Sequence, residues 1–240
     1  MSIQSHPWCF VAALLLMPSG AALAQSATLH QCANGTATQP RACSATGWVT
    51  GNINKKSGHY AESQSVPFRL ILSGYTPGST GNTVTLEWDT TDGGRHAYDY
   101  LTSFDRTELL VMGNNPCSGV AGCSLGTFTT FPIPLDPQVA FAGVTQVPGV
   151  FVLFGSTITA VSGYTFIGDY SGRSSVQITL TFTANQASSV LAWGGHLAAQ
   201  VDWSQGQAAS NVNGSFQTRL YQTSGRSQGN QARSISGVTP

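Results

Sequence analysis

The chain has 240 residues, 41% hydrophobic and 10% aromatic, but only 8% charged, with ten Lys plus Arg against ten Asp plus Glu. That balance excludes a basic nucleic-acid footprint, which needs clustered cations facing phosphates, and an acidic disordered tail, which needs a large net charge. With 27 Gly, 11 Pro and many Ser, Thr, Asn and Gln, the surface must be wetted mainly by uncharged polar groups.

The first 24 residues read as a secretory leader. An apolar run from Phe10 through Met17 is followed by Pro18-Ser19-Gly20, and Ala22-Leu23-Ala24 supplies the small residues that precede cleavage before Gln25. The n-region departs from the usual pattern in having no Lys or Arg. The run is too short to span a bilayer, which takes about 20 residues, so no membrane span is expected after leader removal. Cys9 falls in the leader. That leaves Cys32, Cys43, Cys117 and Cys123, an even set in an oxidising compartment. Three pairings are open; local closure favours Cys32 with Cys43 and Cys117 with Cys123, because short loops lose least entropy on closing.

Along the mature chain, 25–221 reads as one β-rich domain. Val66, Phe68, Leu70 and Leu72 line one face of a segment whose Pro67 places its start at an edge or a sheet terminus. Val84, Leu86 and Trp88 alternate with Thr85, Glu87 and Asp89. Val176, Ile178, Leu180 and Phe182 alternate with Gln177 and three threonines, the strongest period-two signal in the chain. Further strands are expected over 151–154, 157–161, 164–167, 190–193 and 216–221, separated by Gly-rich turns. Such a series predicts an all-β fold, a single β-sandwich or jelly roll with long loops. One short helix is expected near 95–105, where Ala97, Tyr100, Leu101 and Phe104 fall at helical spacing. The proline-stiffened Phe131–Pro137 stretch is excluded from a central strand. From Leu109 to Gly168 the only charged residue is Asp136, as suits either deep packing or a neutral contact surface. Residues 222–240 read as a polar C-terminal tail, extended or mobile.

Six of the ten acids lie within Glu87 to Glu108, together with His96. On the helical reading His96 and Asp99 share a face as an i, i+3 pair, suited to metal ligation or to a histidine held by its carboxylate. A structural polar network competes with that reading, since Asp89, Asp92, Gly93 and Gly94 also suit a turn and a cap. The second constellation is Trp193-Gly194-Gly195-His196-Leu197-Ala198 with Asp202-Trp203. Its two glycines allow a bulge or a close backbone approach and could bring His196 to the first cluster. His96, Asp99, His196, Asp89 and Asp202 are therefore the candidate ligands of a divalent cation, zinc or calcium. Trp88, Trp193 and Trp203 are candidates for stacking on sugar rings, although tryptophan in a sandwich more often belongs to the core. No G-x-S-x-G elbow, P-loop or H-E-x-x-H motif occurs.

Several strings taken together carry a resemblance: Trp48–Asn54, Ser65–Arg69, Leu86–Thr91 running into His96–Phe104, Cys117 and Cys123 around a Gly-rich turn, Trp193–Ala198, Asn213-Gly214-Ser215, and Gly229–Ser234. The chain resembles a group of uncharacterised exported or cell-surface bacterial domains. The resemblance implies a secreted β-rich module in which the two His-bearing strings share one domain, and it implies no activity. The expectation is an exported surface, matrix or adhesion module, secreted, periplasmic or at the cell surface. It would be non-catalytic, with a structural polar or metal site, and would contact carbohydrate or other surface proteins, or a second copy of itself through 109–168. The alternative is a secreted carbohydrate-binding protein or hydrolase using the acids of 87–108.

Overall fold

The computed structural model describes residues 1, 24–44, 46–227, 229 and 231–240. The leader expectation therefore lies, apart from its end residues, outside the described residues. In chain order the strands are β1 (Ser26–Cys32), β2 (Gly35–Thr36), β3 (Gln39–Pro40), β4 (Trp48–Val49), β5 (Ser65–Ser73), β6 (Asn82–Asp92), β7 (Arg95–His96), β8 (Tyr98–Thr102), β9 (Phe128–Pro132), β10 (Val150–Phe154), β11 (Thr157–Val161), β12 (Thr165–Ile167), β13 (Ser174–Thr183), β14 (Ser188–Leu197), β15 (Ser215–Thr223) and β16 (Gln231–Ser236). Two one-turn helices, α1 (Pro137–Phe141) and α2 (Gln200–Trp203), lie in connections.

The period-two segments build two antiparallel sheets. One runs β4-β1-β5-β14-β10-β9, with β8 also on β14; the other runs β11-β13-β6-β15-β16, with β12 on β13 and β7 on β6. Each apolar face turns inward, so that Leu29, Phe68, Leu70 and Trp193 of the first sheet meet Leu86, Trp88, Ile178 and Phe216 of the second in one core. Each such side chain contributes about 1.5–3 kcal/mol by leaving water. Phe68 stacks on Trp193 at 5.7 Å, and Tyr98 meets Phe216 edge-on at 4.8 Å across the two layers. The all-β sandwich is as the sequence predicts. Pro67 sits where β1 has ended, the last β1 pair being Gln31 with Phe68, so its missing N–H costs no bond on that side. Both cysteine pairs are the local ones: Cys32 with Cys43 at a Cα separation of 5.4 Å and Cys117 with Cys123 at 5.1 Å.

Two expectations are corrected. The helix near 95–105 is replaced by β7 and β8. Here the chain leaves the second sheet through a hairpin at Gly93-Gly94, both at positive φ, and enters the first sheet beside β14. The apolar residues of this stretch serve different neighbours. Ala97, Tyr98 and Leu101 join the core, Tyr100 packs with Val139 and Val144, and Phe104 packs with Val152 and Phe154. Their spacing imitates a helical stripe because they face two sides of a strand, not one side of a helix.

The 222–240 tail contains β16, which pairs with β15 along its whole length. Its polar residues close the sandwich edge. Gln231 accepts from Leu29 N at 2.9 Å and donates to Ala27 O at 2.6 Å, while Arg233 Nε donates to Leu29 O at 2.6 Å. From the other side, Gln31 Nε2 donates to Ser234 O at 2.9 Å. Side chains thus satisfy the free edge of β1, which would otherwise be a template for aggregation. At the opposite edge Thr129 Oγ1 accepts from Ile158 N at 3.2 Å and donates to Ser156 O at 3.0 Å.

Beside the β1–β16 seam, His30 is the register partner of Arg69. Burial, then the charges of Arg69 and Arg233, lower its pKa from 6.5 to about 4. The unfolded chain therefore takes up this proton at a higher pH than the folded one, so stability is full above about pH 6.5 and falls as the pH drops towards 4. Melting temperature measured from pH 7 to pH 4 should decline over this window, and His30→Gln should flatten the decline, leaving a smaller slope from His96, whose pKa burial also lowers. A variant whose slope equals that of the parent chain would locate the titration elsewhere.

Candidate functional site

The sheet register dictates where chemistry-bearing side chains meet. Between the pairs Leu197 with Tyr98 and Gly195 with Leu101, β14 contributes His196 alone while β8 contributes Asp99 and Tyr100. Two residues against one make a β-bulge, which turns both side chains towards the face of the single partner. That face points away from the core, since Leu197 and Tyr98 point into it. Asp99 Oδ1 lies 2.7 Å from His196 Nδ1, and Tyr100 stacks on the imidazole at 4.2 Å with an 18° tilt. The carboxylate only accepts, so the proton of this bond sits on Nδ1.

The rest of the carboxylate is also occupied. Tyr100 N donates to Oδ1 at 3.0 Å, and Trp203 Nε1 donates to Oδ2 at 3.0 Å. Trp203 in turn lies flat on His96 at 3.5 Å, and with Tyr100, Val139 and Val144 it forms a small apolar roof. Asp99 and His196 are each 2% exposed. The glycines before His196 have a steric reason: a Cβ on Gly194 would fall 2.4 Å from Thr102 Oγ1, and one on Gly195 would fall 2.9 Å from Tyr98 Cδ1. Glu62, which the sequence reading passed over, holds α2 in place by accepting from Gln200 N at 2.9 Å and Ser210 Oγ at 2.5 Å. A lone acid remote from the acidic cluster was the one available signal.

The predicted site residues separate accordingly. His96, Asp99, His196 and Trp203 come together. Asp202 stays on the exposed side of α2, its carboxyl pushed up by partial burial and then by the charge of Asp99. Asp89 lies on the other sheet, where Arg219 bridges it at 2.5 Å to Glu87 at 2.8 Å, and Gln217 N donates to its second oxygen at 2.9 Å. Burial raises the Asp89 carboxyl against these contacts. The acids of 87–108 are therefore not one cluster, because the chain changes sheets between Asp92 and Tyr98.

The metal expectation is corrected on the same ground. Asp99 and His196 direct their ligating atoms at each other, Trp203 stands between Asp99 and His96, and Asp89 is held by arginine. Among the described residues no group of three or more His, Cys, Asp and Glu is placed to hold an ion. The stacking expectation is corrected for two of three tryptophans: Trp88 and Trp193 are 1% and 0% exposed within the core, and the partly buried Trp203 already stacks on His96.

An Asp–His pair is two of the three members of a nucleophilic triad, and Ser65 is the register partner of His196 on β5, so three neighbouring strands present serine, histidine and acid in order. Ser65 is fully buried, however, and its hydroxyl faces Arg106 Nη1 at 3.5 Å. An occupied carboxylate, a roofed imidazole and a buried serine leave no place for a reacting atom. The arrangement works as an internal latch between β8, β14 and α2. No family model, no curated protein and no solved structure matches the chain.

Removing the acceptor at the centre deprives three donors of their partner, His196 Nδ1, Tyr100 N and Trp203 Nε1. Asp99→Ala should cost about 3–5 kcal/mol in urea unfolding, and Gly195→Ala about 1–3 kcal/mol by overpacking. Chelator should leave the melting temperature of the parent chain unchanged; a chelator-induced drop would restore the metal reading.

Proposed function

We propose that this chain is an exported, disulfide-stapled contact module of the cell surface or its matrix, working by recognition and not by catalysis. The observation that carries the reading is the placement of its few charges. Asp99 is closed inside the latch, and Glu87 and Asp89 are tied to Arg219. Asp136, the one charged residue from 109 to 168, is wholly buried as the cap of α1, accepting from Gln138 N at 2.8 Å and Val139 N at 3.4 Å. The surface of that span therefore presents no charge at all. It also carries nine of the twelve exposed large apolar side chains among the described residues, with Val111 and Phe141 86% and 91% exposed. A stretch of sequence of this kind, contributing exposed apolar side chains and no ions of its own that would have to be desolvated, suits contact with another surface.

Export is supported by the two disulfides, a usage characteristic of oxidising compartments, and by the leader-like start of the sequence. Among the described residues no helix is long and apolar enough to cross a membrane. Against the hydrolase alternative, Glu87 and Asp89 share one guanidinium, and against the sugar-stacking alternative, Trp88 and Trp193 are in the core and Trp203 is stacked on His96.

The test is retention. Expressed with its own leader in a bacterial host, the chain should cofractionate with the cell envelope and resist a salt wash. The double variant Val111→Asp, Phe141→Asp should be released into the medium or periplasmic fraction while melting within about 2 °C of the parent chain, as expected for exposed sites. Equal retention of the variant would overturn the assignment of this face.

A further inference from the structure

A second region, remote in chemistry from the latch, is organised in the opposite sense, with polar atoms left free. A cleft of about 430 Å³ opens between the loop stapled by Cys32–Cys43 and the segment after β8, lined by Arg41, His59, Gln64, Thr107 and Glu108 with Leu109 and Met112 on one wall. That volume lies in the range of small-ligand sites.

Each of the five polar side chains is pinned to the scaffold by one atom. Arg41 Nε donates to Ala33 O at 2.8 Å, and His59 Nδ1 contacts Gly35 O at 3.0 Å. Glu108 Oε1 accepts from Asn34 Nδ2 at 2.7 Å, Gln64 Oε1 from Ala61 N at 2.9 Å, and Thr107 Oγ1 from Ser65 N at 2.8 Å. Asn34 is the hub: 1% exposed, it donates to Glu108 and accepts from His59 N at 3.0 Å.

What remains on each group has no partner among the described residues. Arg41 keeps its terminal guanidinium nitrogens and Glu108 its Oε2. Gln64 keeps its amide donors, and Thr107 its hydroxyl proton. His59, whose Nδ1 must donate to a carbonyl, keeps Nε2 as an acceptor in the neutral ring. Orientation fixed by one atom with the other left free is the preorganisation that a binding site requires. Latch and cleft differ on this point, since the latch leaves no oxygen of Asp99 unbonded.

From this arrangement we infer that the cleft binds a small amphoteric ligand, one carrying a carboxylate, an ammonium group and an apolar portion, such as a free apolar amino acid or a dipeptide. The guanidinium of Arg41 recognises the carboxylate, for which its planar fork is suited. Glu108 Oε2 and His59 Nε2 accept from the ammonium group, which has donors only. Leu109 and Met112, the latter 73% exposed, take the apolar part. One fixed cation and one fixed anion balance each other, so the complementary ligand has no net charge; a neutral saccharide would leave both ions desolvated without a counter-ion. The inference is independent of the envelope-contact reading in its polar set, since Arg41, His59, Gln64, Thr107 and Glu108 lie outside the 109–168 span, whereas the apolar wall of Leu109 and Met112 belongs to that span.

Isothermal titration of the whole chain with L-leucine and with L-leucyl-L-leucine tests it, with N-acetyl-L-leucine, L-leucinamide and maltose as the other arms. At least one of the two amphoteric probes should bind, and the capped forms should bind about tenfold more weakly or worse, each having lost one of the two charges, about 1.4 kcal/mol by the tenfold relation. Arg41→Gln and Glu108→Gln should each weaken binding by a similar factor, the latter keeping an oxygen for Asn34. Met112→Lys, on the exposed wall and outside the hydrogen-bonded set, should weaken binding without altering the melting temperature, and it serves if either polar variant unfolds. Absence of binding by both amphoteric probes at millimolar concentration overturns the inference, as does equal affinity for the capped forms. Binding of maltose in their place also overturns it, by assigning the cleft to neutral sugars.

Discussion

One register irregularity governs the arrangement of this protein. Because β8 sets two residues against His196, Asp99 and Tyr100 emerge on the same face as the imidazole, and the carboxylate reaches both His196 and Trp203. The bulge lies just after the chain passes from one sheet to the other. It therefore anchors the crossing strand to the centre of the first sheet and fastens α2 above it. A buried polar atom left without a partner costs about 1–3 kcal/mol, and a network of this size would destabilise the fold if any member were open. Its closure makes the site structural, although its residues are those of a catalytic dyad.

The scarcity of charge follows the same economy. Acids and arginines that are buried are matched to backbone or to each other: Asp89 and Glu87 to Arg219, Arg233 to the β1 carbonyls, Arg69 to the carbonyls of Pro116 and Ser118 with its guanidinium 5.0 Å above Trp48. Arg69 thereby ties the small disulfide loop onto the sheet, and burial lowers its pKa to about 10. Asp136 disappears under a one-turn helix. Over 109–168 the surface is left wholly to uncharged polar and apolar groups, while exposed charges such as Lys55, Lys56, Asp169 and Arg226 lie elsewhere on the chain. The cleft beside Asn34 presents a cation and an anion with bonding atoms left open, unlike the surface pair Arg173–Asp92, which is closed on itself at 2.9 Å.

The strands were legible wherever one face is buried and the other wet, as in β5, β6 and β13, because period-two alternation then reports the sheet directly. The cysteine pairing was legible from loop length. Alternation failed at β8, whose apolar residues serve both faces, and at β16, whose Gln231 and Arg233 look solvent-directed but bond to the neighbouring sheet edge. Of the candidate site, the approach of His196 to the stretch holding His96 and Asp99 was legible because the glycine pair and the histidines stood out in a charge-poor chain, whereas the place of Trp203 between Asp99 and His96 was not. The grouping of Asp89 with Asp99 was not, since ten residues of sequence separation hide a change of sheet. Nor were the roles of Glu62 and Asn34, single polar residues whose partners lie far along the chain.

The claim that the Asp99–His196 pair is a closed latch is tested most directly by the imidazole itself. Nitrogen-detected nuclear magnetic resonance of the protein with labelled histidine reports which ring nitrogen of His196 carries the proton and how fast it exchanges. The structure predicts a proton on Nδ1, shifted downfield by the carboxylate and protected from exchange on the timescale of global unfolding, with that protection unaffected by added zinc or calcium. A proton on Nε2 alone, rapid exchange with solvent, or a shift of the ring nitrogens on adding either metal would contradict it.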